Sequence, residues 1–174
     1  MRSICLALLL AFIGFSAASC ATRHRVDAGA PTLEPADIDR LCGSPWVGSL
    51  IYLDYTSGQH TTIDSSLTVR KDESKPAAWE FGMGYSKEPH ADSRELVTLS
   101  ADGALLGTED VIVVQRFSDG RLLFVTECDG TDDNRPARFR FEHELGQHTY
   151  SRRKMVKLAG TTEWFERHVY RWSR

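Results

Sequence analysis

From Trp46 to the C-terminus, apolar residues recur at every second position in short runs, and this spacing constrains the fold more than any other feature. In "AWEFGMGY", Trp79, Phe81, Met83 and Tyr85 fall on one side of an extended backbone, with Glu80, Gly82 and Gly84 on the other. That is the period of a half-buried strand and not of a helix. In "HTTIDSSLTVR", Ile63, Leu67 and Val69 share one face. "PWVGSLIYLDY" is rich in β-branched and aromatic residues behind Pro45, tolerable at a strand's first position. "RELVTLSADGALLG" and "DVIVVQRFSDGRLLFVTEC" each hold a central Asp-Gly pair, the strongest short hairpin signal. "ARFRFEHELGQHTYSRRKMVK" reads as a hairpin about Gly146-Gln147, and "EWFERHVYRWSR" as a last strand.

Consecutive hairpins make an antiparallel meander, and closing it removes its two exposed edges. The expected fold is all-β: a single antiparallel up-and-down β-barrel of about 8–10 strands over residues 44–174. A two-sheet sandwich is the alternative. Nothing indicates an internal repeat or a second domain.

The other end of the chain is built differently. Arg2 precedes "ICLALLLAFIGF", an uncharged run from Ile4 to Phe15. The run is shorter than the roughly 20 residues of a membrane span and has the layout of a secretory signal peptide over residues 1–19. Ala17-Ala18-Ser19-Cys20 resembles the lipobox of bacterial lipoproteins, which implies lipidation at Cys20 and a membrane anchor. Ala21 stands where inner-membrane-retained lipoproteins carry Asp, so the resemblance implies the outer membrane, facing the periplasm. A plain signal-peptidase cut leaving Cys20 a thiol is the alternative.

Of the four cysteines, Cys5 falls in the leader, leaving Cys20, Cys42 and Cys128. Exported thiols tend to pair, so with Cys20 lipidated a Cys42–Cys128 disulfide is expected. Residues 20–43 form the lipidated N-terminus and a tether, poor in apolar periodicity, in which "ADIDRL" has the makings of a helical turn.

A net charge of −3 argues against nucleic acid as a partner. There is no zinc-ligand spacing, glycine-rich phosphate loop or nucleophile elbow, so no metal, cofactor or catalytic residue is assigned. "DGTDDNRP" gathers three Asp but lacks the EF-hand ligand order, and reads as a solvated turn.

The series Trp46, Gly48, Leu50, Tyr52, Asp54, Tyr55, Ser57 and Gly58, with the ending "TEWFERHVYRW", resembles the first and last strands of uncharacterised bacterial lipocalin-like (calycin-type) lipoproteins. The resemblance implies a ligand-binding barrel with Arg171 or Arg174 stacked on Trp46. Read from the residues alone, Trp46 plugs one end of the barrel.

A two-residue loop at Gly146-Gln147 sets His143 opposite Tyr150, Phe141 opposite Arg152 and Phe139 opposite Lys154. Opposed residues share a face, so His143, Tyr150, Arg152 and Lys154 are expected inside with the phenylalanines. On the last strand Glu166 and His168 share a face with Trp164, Tyr170 and Trp172. These six polar residues, His143, Tyr150, Arg152, Lys154, Glu166 and His168, form the expected binding site. Its buried charge needs an answer from Glu166, water or a ligand anion. The expected function is binding of a small amphipathic or anionic ligand. The alternatives are a structural or interaction lipoprotein with a filled barrel, and an enzyme using His143 or His168 as general base.

Overall fold

A computed structural model describes residues 30–174. The leader, Cys20 and the first part of the tether lie outside the described residues. Ten strands follow one short helix, α1 (Pro35–Asp39): β1 (Trp46–Asp54), β2 (Gln59–Lys71), β3 (Ala78–Gly84), β4 (Ser93–Thr98), β5 (Leu105–Leu106), β6 (Glu109–Arg116), β7 (Leu122–Asp132), β8 (Arg135–Leu145), β9 (Thr149–Leu158) and β10 (Phe165–Ser173). They form one antiparallel sheet in the order β4-β3-β2-β1-β10-β9-β8-β7-β6-β5. Each strand lies beside its neighbours in sequence, and the first and last pair with each other. The result is an up-and-down barrel, nearly closed, and not a sandwich. Its edges, β4 and β5, meet where Leu99 bridges Leu106, leaving a seam between β4 and the start of β6.

Turn chemistry sets the registers. β7 and β8 extend through the "DGTDDNRP" segment to a two-residue turn, where Asp133 and Asn134 have φ of 48° and 59°. Both central residues are left-handed, as a type I′ hairpin needs, and Asp and Asn tolerate that region best after Gly. Between β6 and β7 the Asp119-Gly120 pair turns the chain, with Gly120 at φ 82°. The β8–β9 turn differs from expectation. Gly146 donates its N–H to the Thr149 carbonyl at 2.8 Å, so the turn centres on Gln147-His148. His143 therefore faces Arg152, and Phe141 faces Lys154. Moving a turn by one residue shifts the pairing by two, and an even shift keeps every side chain on its face.

The expected tether ends sooner than its composition suggests. Leu33, Ile38 and Leu41 are 3%, 1% and 1% exposed and belong to the main core with Trp46, Leu67, Leu122 and Trp172. α1 begins at Pro35, and Asp37 accepts the Glu34 N–H at 2.8 Å, which satisfies a donor at the helix start. Asp39 accepts from Trp79 Nε1 and Lys71 Nζ, both at 2.8 Å, and Asp37 from Arg116 Nε at 3.1 Å. Residues 32–42 are thus the plug of one barrel end. Trp46 is fully buried in that end and donates its Nε1–H to the Leu41 carbonyl at 2.9 Å. Arg174 lies 4.0 Å from the Trp46 ring centre and donates to the carbonyls of Arg40 and Cys42 at 2.8 Å each. Trp46 therefore plugs the end and is also covered by an arginine; Arg174 and not Arg171 takes that place.

The expected Cys42–Cys128 disulfide is absent; both are free thiols. Cys42 packs on the core at the α1 end, whereas Cys128 packs on a second cluster built from Ala137, Phe139, Phe141 and Val156. Cys128 stands six residues along β7 from Leu122 of the main core, so the two thiols belong to separate parts of the interior.

Candidate functional site

The inward residues of β7, β8, β9 and β10 meet as a ladder of rings that runs from strand to strand across the inner wall. Phe124 stacks on His143 with centroids 4.1 Å apart, and His143 lies 6.1 Å from Tyr150. Tyr150 follows at 5.4 Å from Trp172, and Trp172 at 4.7 Å from Tyr170. Tyr170 ends the ladder with its hydroxyl 2.7 Å from that of Tyr85. Successive planes differ by 20° or less, so the rings lie nearly parallel.

Charge enters this apolar interior at Arg152. Its guanidinium sits 4.2 Å from the Phe141 ring centre and donates to Glu109 Oε1 at 3.0 Å. The other oxygen of Glu109 accepts the Thr126 hydroxyl, which is wholly buried. Arg152 has five N–H donors and spends one of them on Glu109. The side chain is 31% accessible and borders a cavity.

That cavity has a volume of about 100 Å³. Arg152, Glu109, His143 and Tyr150 give it a polar wall; Leu67, Met83, Phe124 and Trp172 give it an apolar one. Ser93, Glu95 and Val97 from β4 and Leu106, Gly107 and Thr108 from the β5–β6 side also line it, so it reaches the seam in the barrel wall.

His143 is 4% exposed, and its Nδ1 is 2.9 Å from the Tyr150 hydroxyl. Its Nε2 is buried with no hydrogen-bond partner. Either tautomer leaves an orphan: an N–H if Tyr150 donates to Nδ1, a lone pair if Nδ1–H donates to Tyr150. Burial, then the neighbouring Arg152 charge, pushes the His143 pKa well below its ordinary 6.5. Burial, then Arg152, Lys154 and Arg167, takes His168 down to about 3. Neither imidazole is matched to general-base work near neutral pH. Burial raises the Tyr150 hydroxyl, so it stays a neutral donor.

Five of the six expected residues, His143, Tyr150, Arg152, Lys154 and His168, face the interior. Glu166 does not. The β9–β10 pairing slips between Glu166 and His168, so Phe165 opposes Val156 and Glu166 opposes Met155. This bulge at Arg167 reverses the alternation: Glu166 goes to the outer face, where it meets Arg153 Nε at 3.1 Å, and Arg167 turns towards Asp132 at 3.6 Å. Arg167 also covers Tyr55, whose hydroxyl donates to Asp132. The answer to Arg152 is Glu109, which sequence reasoning passed over. A signal existed: Glu109 precedes Val111 by two, and so shares its inward face. The Asp129–Pro136 carboxylates are engaged by arginines, Asp129 by Arg138 at 3.2 Å and Asp133 by Arg135 at 3.6 Å.

Among the described residues no group of three or more His, Cys, Asp or Glu is placed to hold a metal ion, and no helix is long and apolar enough to cross a membrane. No protein-family model and no curated protein sequence matches the chain.

Proposed function

We propose that this chain is an envelope-anchored, lipocalin-like lipoprotein whose barrel holds a small amphipathic or anionic molecule. The observation that carries the reading is Arg152: a guanidinium inside the barrel, bordering a cavity and spending one donor on Glu109. An anionic head there would meet unspent N–H donors, while Phe124, Met83 and Leu67 offer an apolar wall to the rest of the molecule. Charge-assisted contacts of this kind are among the stronger hydrogen bonds.

The volume narrows the ligand class. A dry cavity of about 150 Å³ takes one benzene, and drug-sized ligands occupy about 300–1,000 Å³. At about 100 Å³ the cavity suits a short or compact carboxylate and has no room for an acyl chain. The same small volume, with five stacked rings occupying one side of the interior, supports a second reading as a structural or interaction lipoprotein.

Calorimetry with formate, acetate and propionate tests the proposal, beside native mass spectrometry of protein purified from its own host. Binding of at least one carboxylate is expected. Arg152→Met with Glu109→Gln, which removes both charges together, should weaken it about tenfold or more, the loss of a contact worth about 1.5–3 kcal/mol. No retained molecule and no heat from any carboxylate would leave the structural reading standing.

A further inference from the structure

The interior carries a second cation whose surroundings differ from those of Arg152. Lys154 lies on β9, half-buried, with Nζ 3.6 Å from the Phe139 ring centre and 5.8 Å from that of Phe141. No hydrogen bond or ion pair reaches Nζ among the described residues. The carboxylates nearby are engaged elsewhere: Glu109 by Arg152 and Thr126, Asp132 by Tyr55 and Arg167. Three cations, Arg152, Lys154 and Arg167, share this part of the barrel; Glu95 joins Glu109 beside Arg152, Asp132 answers Arg167, and Lys154 has no hydrogen-bonded or ion-paired carboxylate of its own. Two other lysines have the ordinary arrangements: Lys71 pairs with Asp39 at 2.8 Å, and Lys87 is 80% exposed.

We infer that Lys154 is a carbonyl-reactive amine, a site at which a small aldehyde forms a Schiff base inside the barrel. The groups that face it are Arg152 on its own strand, Arg167 and His168 on β10, and Asp132 and Cys128 on β7; β8 contributes the two phenylalanine rings. Withdrawing an ammonium from water beside other cations favours the neutral amine, and desolvation with a cationic neighbour is a known way of activating lysine as a nucleophile. Burial first, opposed by Asp132 and Cys128 and aided by Arg152 and Arg167, lowers the Lys154 pKa from its ordinary 10.5. The Cys128 thiol does not compete, because burial pushes it up to about 11.

The reaction balances without oxidant or reductant. The nitrogen lone pair attacks the carbonyl carbon, the C=O π pair moves to oxygen, and one N–H proton passes to that oxygen. The C–O bond then breaks, the hydroxyl leaves with the second N–H proton as water, and a C=N bond remains. The site does not depend on the cavity reading, because Lys154 is not part of the cavity lining.

The test is reductive trapping on the full chain: propanal with cyanoborohydride over pH 6–8, followed by peptide mapping. The propyl mark should reach Lys154 before Lys75, Lys87 and Lys157, and its rate should level off at a lower pH than theirs. Denaturing urea should erase the preference, and Lys154→Arg should lose the mark at that position alone. Folded protein marked at Lys154 no earlier than at the other three would overturn the inference, whatever the carboxylate titration shows.

Discussion

His143 and His168 are both held neutral inside the barrel, and that has a consequence for pH. An unfolded chain binds a proton on each near the ordinary pKa of 6.5, whereas the fold depresses both values. Stability is therefore complete above about pH 6.5 and is lost as the pH falls, by about 1.4 kcal/mol per pH unit for each proton the fold refuses. For His168 the window runs from 6.5 down to about 3. Urea denaturation at pH 7 and pH 5 should show a clear drop, and His168→Gln should reduce the slope by about half. An unchanged slope would mean that His168 takes up a proton inside the folded barrel. The faces of these residues were legible from alternation alone, because Phe139, Phe141, His143 and Leu145 stand two apart. The depressed histidines were not, since their cause is burial by other strands and then the Arg152 charge.

α1 shows how a five-residue helix can escape a reading based on periodicity. One turn is too short to display a 3.6-residue pattern, and its polar residues look like a solvated linker. They are in fact fasteners: Asp37 and Asp39 hold Arg116, Lys71 and Trp79 while Ile38 and Leu41 enter the core. Ile38→Ala should therefore cost about 2–5 kcal/mol, the range for truncating a fully buried aliphatic side chain, measured as a shift of the urea midpoint. A free tether would show no change. The β10 bulge is the other element-scale lesson. One extra residue at Arg167 moved Glu166 outside, and no local pattern in "WFERHVY" announces it.

Over the whole molecule, residues 32–42 close one end of the barrel, where the Leu33 N–H donates to the Gly103 carbonyl. The membrane anchor proposed above rests on Cys20. Cys20→Ser should release the domain into the soluble periplasmic fraction and abolish labelling by a clickable fatty acid. Retained labelling would locate the lipid elsewhere.

Alternating apolar residues and turn-forming pairs determined, from the sequence by itself, that this chain makes strands joined by hairpins and which side chains line the inside, except where the β10 bulge reverses the faces at Glu166. Both are local properties: a strand alternates its faces within a few residues, and even the displaced Gln147-His148 turn left those faces intact. The tertiary structure alone decided which groups meet. Glu109 reaches Arg152 from 43 residues away, Arg174 returns to cover Trp46, and Cys42 and Cys128 fall in separate clusters. Such contacts depend on closure of the sheet, its bulges and the docking of α1, which are settled by strands distant in sequence competing for one interior.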